Sequence, residues 1–185
     1  MKNLTGKKVA ILTENGFEEE ELTSPKRALE EAGATVHIVS PQKQSVKGWH
    51  HDHWSIELPV DVSVSKANPD NYDALLIPGG VINPDLMRVN KDCISFAKHF
   101  LEGGKPVGAI CHGPQLLIET GLLDGVKMTS YASVRTDIEN AGAEWVDKEV
   151  VRHNGLVTSR SPKDLPAFNK KLTEEIYEGV HAATH

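Results

Sequence analysis

KVAILTENGFEEEELTSPKRALEEAGATVHIVS, residues 8–40, sets the fold class. Its first six residues form an apolar run of strand length, and ATVHIVS at 34–40 returns to the same character. Between them, Ser24 is a candidate N-cap, Pro25 suits a first helical position and Gly33 marks a stop. Ala28, Leu29 and Ala32 fall on one stripe, so the stretch reads as strand, helix, strand, the unit of a parallel sheet.

The rhythm continues outward. YDALLIPGG gives a buried strand ending in a Pro-Gly-Gly turn, and NPDLMRVNKDCISFAKHFLEGG gives a loop and then a helix ending at Gly103. PVGAI at 106–110 is a third wholly apolar strand, as expected when helices cover both faces of a sheet. KMTS, SVRTDIENAG, EWVDKEVV and GLVTS read as strand, helix, strand and strand. The last helix, DLPAFNKKLTEEIYEGV, carries Leu165, Phe168, Leu172, Ile176 and Val180 on one face. The segment 41–70 is polar and irregular, with short extended pieces expected around 54–64. No repeat or linker divides the chain, so residues 1–185 are expected to form one α/β domain, a three-layer sandwich with a mainly parallel sheet.

Composition narrows the function classes. Twenty Lys and Arg stand against 26 Asp and Glu, a formal net charge of −6 with dispersed positive residues, so no basic stripe exists for a nucleic-acid backbone. No window approaches the roughly 18 apolar residues of a membrane span. Cys93 and Cys111 are the only cysteines and form no CxxC pair, which excludes a disulfide framework and makes a reducing, cytoplasmic setting the expectation.

Cys111 stands where the strand PVGAI hands over to the next helix, in the sequence AICHG. Ligands of open parallel sheets bind at the carboxyl ends of strands. Small residues two positions either side, Ala109 and Gly113, match the plan of a nucleophile elbow. A free thiol titrates at about 8.5, and a helix N-terminus lowers that value, so a substantial thiolate fraction is expected here. The bland reading is a small buried hydrophobe; Cys93, lacking such a setting, is assigned to it. At the end of the first strand the run Glu18, Glu19, Glu20 and Glu21 reaches toward the same crevice. Most of it is expected to be solvated, with one member free to share a proton with Cys111.

GFEEEEL, YDALLIPGG, AICHGPQLLIETGLL, MTSY, AGAEWVD and LVTSRSPKDLPAFNKK together resemble the DJ-1/PfpI family, over about Lys7 to Tyr177 and closest to its PfpI branch. The resemblance implies the class I glutamine amidotransferase-like (flavodoxin-like) fold and a homodimer or higher oligomer. It implies Cys111 as nucleophile, Glu18 as its protonated partner, and the backbone N–H groups of Gly80 and His112 as an oxyanion hole. It also points to His112 as a catalytic base, oriented by an acid from a neighbouring subunit. The matching acid here is Asp85, where the closest peptidase-like motif has Glu. The implied activity is cysteine-dependent stress-response chemistry on reactive carbonyls, a glyoxalase- or deglycase-like conversion of methylglyoxal or its adducts, with no cofactor or metal. An intracellular cysteine peptidase or amidase acting on peptides, and a non-enzymatic redox sensor, are the alternatives.

Two other features invite a function. WHHDHW, with His50, His51, Asp52 and His53, suggests a metal, but consecutive residues on an irregular segment give no convergence, and a polar loop near the pocket mouth is expected. Arg135 and Arg160 are candidates to hold an anionic substrate, with structural ion pairs as the alternative.

Overall fold

The computed structural model describes residues 2–181. Its first half contains β1 (Lys8–Leu12), β2 (Phe17–Glu18), α1 (Glu19–Glu31), β3 (Thr35–Ser40), β4 (Ser45–His50), β5 (His53–Pro59), β6 (Val62–Ser63), β7 (Ala74–Ile77), α2 (Ile82–Met87) and α3 (Lys91–Glu102). The second half contains β8 (Val107–Ile110), α4 (Pro114–Ile118), β9 (Lys127–Met128), α5 (Arg135–Asn140), β10 (Glu144–Trp145), β11 (Val151–His153), β12 (Leu156–Ser159) and α6 (Leu165–Glu178). Seven strands make the central sheet in the order β11-β12-β8-β7-β1-β3-β6, and every pairing is parallel except β11 with β12.

Alternate residues of each central strand feed opposite layers. Ala10, Leu12, Leu75, Ile77, Val107 and Ala109 pack toward Phe96 and Phe100 of α3 and Leu116 and Leu117 of α4. Val9, Ile11, Leu76, Ile110 and Val157 pack toward Leu22 and Leu29 of α1 and Phe168 and Leu172 of α6. Apolar side chains on both strand faces thus become two cores under two helical layers, the expected α/β sandwich of the class I glutamine amidotransferase-like type.

Several elements differ from the sequence reading. The first helix begins at Glu19, so Ser24 is no cap and Pro25 lies inside the helix. That placement leaves the Glu21 carbonyl without its usual i+4 partner, yet Pro25 is buried against the sheet, where packing outweighs the local preference. The polar segment 41–70 holds the hairpin β4–β5, turning at His51 and Asp52 and joined by β2 into a separate three-stranded sheet. EWVDKEVV does not form one strand but splits into β10 and β11. Val180 does not continue the apolar face of α6: Gly179, at φ +88°, ends the helix and leaves Val180 exposed.

Candidate active site

The carboxyl ends of β7 and β8 meet the first turn of α1. Cys111 follows the last residue of β8 in a left-handed backbone conformation, φ +62°, that few non-glycine residues adopt. The bend is held from both sides: Cys111 N–H donates to Ser159 O at 3.0 Å, and Tyr131 N–H donates to Cys111 O at 2.9 Å. This is the sharp turn expected of an elbow, and it presents a side chain that is only 7% exposed.

The Pro78-Gly79-Gly80 turn closes over the sulfur. A Cβ at Gly79 would collide with Glu21 Oε2 and lie 2.7 Å from Cys111 Cβ, so a side chain there would part the pair. Gly80, at φ +84°, leaves no room for a Cβ against Gly16 O and the Glu18 nitrogen. With both positions bare, the backbone N–H groups of Gly80 and His112 act on the Cys111 sulfur and favour its thiolate form. Asn83 of α2, fully buried, fixes this turn. Its Nδ2 donates to Pro78 O at 3.0 Å and Gly79 O at 3.2 Å, while its Oδ1 accepts from Glu14 N–H at 2.6 Å and from the Thr13 hydroxyl at 3.2 Å. Asn83→Ala removes the partners of the Pro78 carbonyl and the Glu14 N–H and is expected to lower stability by about 2 kcal/mol or more, read from the urea midpoint.

The carboxylate that meets Cys111 is Glu21, which corrects the expectation for Glu18. Because the helix begins at Glu19, Glu21 shares the inward face of α1 with Leu22, Pro25 and Leu29 and is fully buried. It accepts from Gly79 N–H at 2.9 Å through Oε2 and interacts directly with the Cys111 side chain. Its Oε1, also buried, has no hydrogen-bond partner among the described residues. Glu18 precedes the helix and turns to the rim, where its Oε1 lies 3.9 Å from His50 Nδ1.

Burial pushes the Glu21 carboxyl up to about 8, and the Glu18 charge adds to the rise; the hydrogen bonds from Cys111, Gly79 and Gly80 oppose it. The Cys111 thiol is also pushed up, first by burial and then by the Glu21 charge, while the Gly80 and His112 N–H groups pull it down. The expected lowering by a helix N-terminus is not found, since α4 is a single short turn starting three residues later. Ionisation here depends on Glu21 instead. Once the carboxyl holds a proton, its repulsion of the thiolate disappears and its O–H becomes a donor toward sulfur.

His112 Nδ1 lies 3.2 Å from Cys111 Sγ, its ring stacks on Tyr131 with centroids 4.8 Å apart, and its Nε2 lies 3.3 Å from the Ser133 hydroxyl. Burial lowers its pKa, which favours the neutral ring. Asp85 is exposed on the first turn of α2, and the far imidazole nitrogen meets the Ser133 hydroxyl. Ser133, Tyr131 and Asn83 are the residues that sequence reasoning did not assign to the site. Only the tertiary fold brings this segment, YASVR at 131–135, to His112.

The remaining features resolve into structure. Arg160 pairs with Asp164 and Asp147, and Arg135 pairs with Glu139 and lies over the Trp145 ring. His50 and His53 face each other across the β4–β5 turn, and His53 pairs with Asp52. Cys93 is fully buried in α3, and burial pushes its thiol up to about 12. No helix among the described residues is long and apolar enough to cross a membrane.

The DJ-1/PfpI family model matches residues 7–175, a span that takes in the elbow, the Gly79-Gly80 turn and the Glu21 helix. The chain belongs to the DJ-1/PfpI family. Among DJ-1/PfpI relatives, it is 48% identical to general stress protein 18 of Bacillus subtilis over 90% of this chain and 95% of that one. It is 46% identical to the putative cysteine protease YraA of the same organism, over 89% and 95% of the two chains. It is 41% identical to the deglycase TK1284 of Thermococcus kodakarensis, over 90% and 98%. A stress protein, a protease and a deglycase at comparable identity do not choose a reaction within DJ-1/PfpI chemistry; the site has to.

Proposed function

We propose that this chain is a cysteine-dependent enzyme acting on small reactive carbonyls such as methylglyoxal, with Cys111 as nucleophile and Glu21 as proton carrier. The observation that carries the reading is the Glu21 carboxyl, buried against Cys111 and pushed up to about 8, so that it holds a proton near neutral pH. A group poised there both gives and takes a proton within one turnover.

In the proposed sequence the Cys111 sulfur adds to the aldehyde carbon, and the oxyanion is met by the Gly80 and His112 N–H groups before it takes a proton. A proton then moves from that carbon to the neighbouring carbonyl carbon through an enediol, with Glu21 as the carrier. The resulting thioester is hydrolysed by water, so methylglyoxal plus water gives lactate and the free thiol returns. A nucleophilic residue only 7% exposed favours a small carbonyl compound over an extended peptide.

The Cys111–His112 contact and the similarity to a putative cysteine protease favour a second reading, peptidase or amidase activity. It asks more of His112, which must protonate an amine leaving group while its far nitrogen meets a hydroxyl. A second copy of the chain presenting Asp85 to His112 would supply the carboxylate. The two readings separate by product. Incubation with methylglyoxal, followed by NMR for lactate, is expected to show turnover, with a panel of peptides left uncut; peptide cleavage without lactate reverses the ranking.

A further inference from the structure

The amino ends of β8 and β12 lie opposite the Cys111 crevice, and a second constellation gathers there. Glu175 and Glu178 occupy the last turn of α6, and after Gly179 the chain bends so that His181 N–H donates to Gly104 O at 2.8 Å. The imidazole is seated by a bare backbone: a Cβ at Gly155 would come within 2.8 Å of His181 Cδ2, and one at Gly104 would strike the His181 carbonyl. One ligand atom from each of Glu175, Glu178 and His181 lies within 4.8 Å of the others.

The orientation of these atoms points to a ligand. Glu175 is 1% exposed, and its Oε2 has no hydrogen bond of acceptable geometry among the described residues. His181 Nε2 is in the same condition although the two atoms are 2.9 Å apart. They approach each other without aiming at each other, which is how two ligands of one ion stand. Donors bound to zinc at about 2.0–2.2 Å with angles near 90–110° lie roughly 3–3.5 Å apart. Arg152 from β11 pairs with Glu175 Oε1 and, at 3.3 Å, with Glu178 Oε2, which orients both carboxylates and leaves each a second oxygen. Two carboxylates against one guanidinium leave a net negative charge at a helix C-terminus, whose carbonyl dipoles also favour a cation.

We propose that Glu175, Glu178 and His181 form a binding site for a divalent transition-metal ion of the zinc class. Two carboxylates and an imidazole suit such an ion, and the exposed Glu178 keeps one oxygen free of Arg152 to meet it. The site would tie the end of α6 to the turns before β8 and β12, a structural role remote from the thiol. Calorimetric titration of the full chain with zinc chloride tests it, with thermal unfolding as a second readout. One zinc per chain is expected in the wild type and in Cys111→Ser, with a higher melting temperature when zinc is present. Glu178→Gln and His181→Ala are each expected to weaken binding at least about tenfold and to shrink that rise. Glu178 is exposed and His181 is partly buried, so circular dichroism without zinc verifies folding, Glu178→Gln being the milder change. The proposal is overturned by a wild type that binds no zinc, by binding lost in Cys111→Ser, or by binding unchanged in either site variant. The first and third of those results leave the Cys111 chemistry untouched, and the second would place the zinc at the Cys111 thiol instead.

Discussion

Cys111→Ser is expected to reduce lactate formation from methylglyoxal by at least about a thousand-fold, with folding unchanged. A hydroxyl at this position keeps the Cβ, and so keeps the backbone at φ +62°, but it is a much poorer nucleophile at neutral pH than a thiol. Glu21 is matched to sulfur: a carboxyl pushed up to about 8 exchanges its proton with a thiol far more readily than with an alcohol. The donors from Gly80 and His112 stay in place, so any residual activity measures what they contribute without the nucleophile. Steady-state turnover with methylglyoxal, alongside near-UV circular dichroism, reads the effect. Cys93→Ser is the matched control, because that thiol is sealed in the α3 core. Equal turnover in wild type and Cys111→Ser would end the enzymatic reading and leave selective oxidation of Cys111 as the role to pursue.

The contrast between the two cysteines was legible before any coordinates. A cysteine within a helix pattern packs, and one between an apolar strand and a His-Gly-Pro turn is presented. The parallel sheet was legible for a similar reason, since its strands are apolar on both faces and separated by helical stripes. What failed was helix phase. Four consecutive glutamates are indistinguishable by charge, and the choice among them depends on where the helix starts. Ser24-Pro25 carries a strong start signal, but the buried face of α1 and the pairing of β2 with β4 set the start at Glu19. Six residues of added helix bring Glu21 inward and leave Glu18 at the rim facing His50. The partners of His112 were hidden for another reason: Ser133 and Tyr131 lie about twenty residues away, in a segment whose own pattern announces only a helix start. The zinc-class constellation was hidden too, because Arg152, Gly104 and Gly155 reach α6 only through the sheet.

Glu21→Gln separates these assignments and has a stability signature of its own. Glutamine preserves the shape and the Gly79 N–H contact, but it neither gives nor takes a proton. Turnover is therefore expected to fall roughly 100- to 10,000-fold, whereas Glu18→Gln stays within a few-fold of wild type. The sign of the pH effect follows from the raised carboxyl. Folded Glu21 holds its proton up to about 8, while the unfolded chain releases it near the ordinary value of 4.5. Between those limits the folded state binds more protons, so this contribution to stability is fully present below 4.5. It is lost as pH rises through about 8. At about 1.4 kcal/mol per unit, the loss is on the order of 3 to 5 kcal/mol. Urea unfolding from pH 5 to 9 is thus expected to show the wild type losing stability relative to Glu21→Gln, with the difference levelling off above pH 8. A parallel pair of curves would mean that Glu21 is ionised throughout, which would deprive Cys111 of its proton carrier and return the choice of acid to Glu18 or His112.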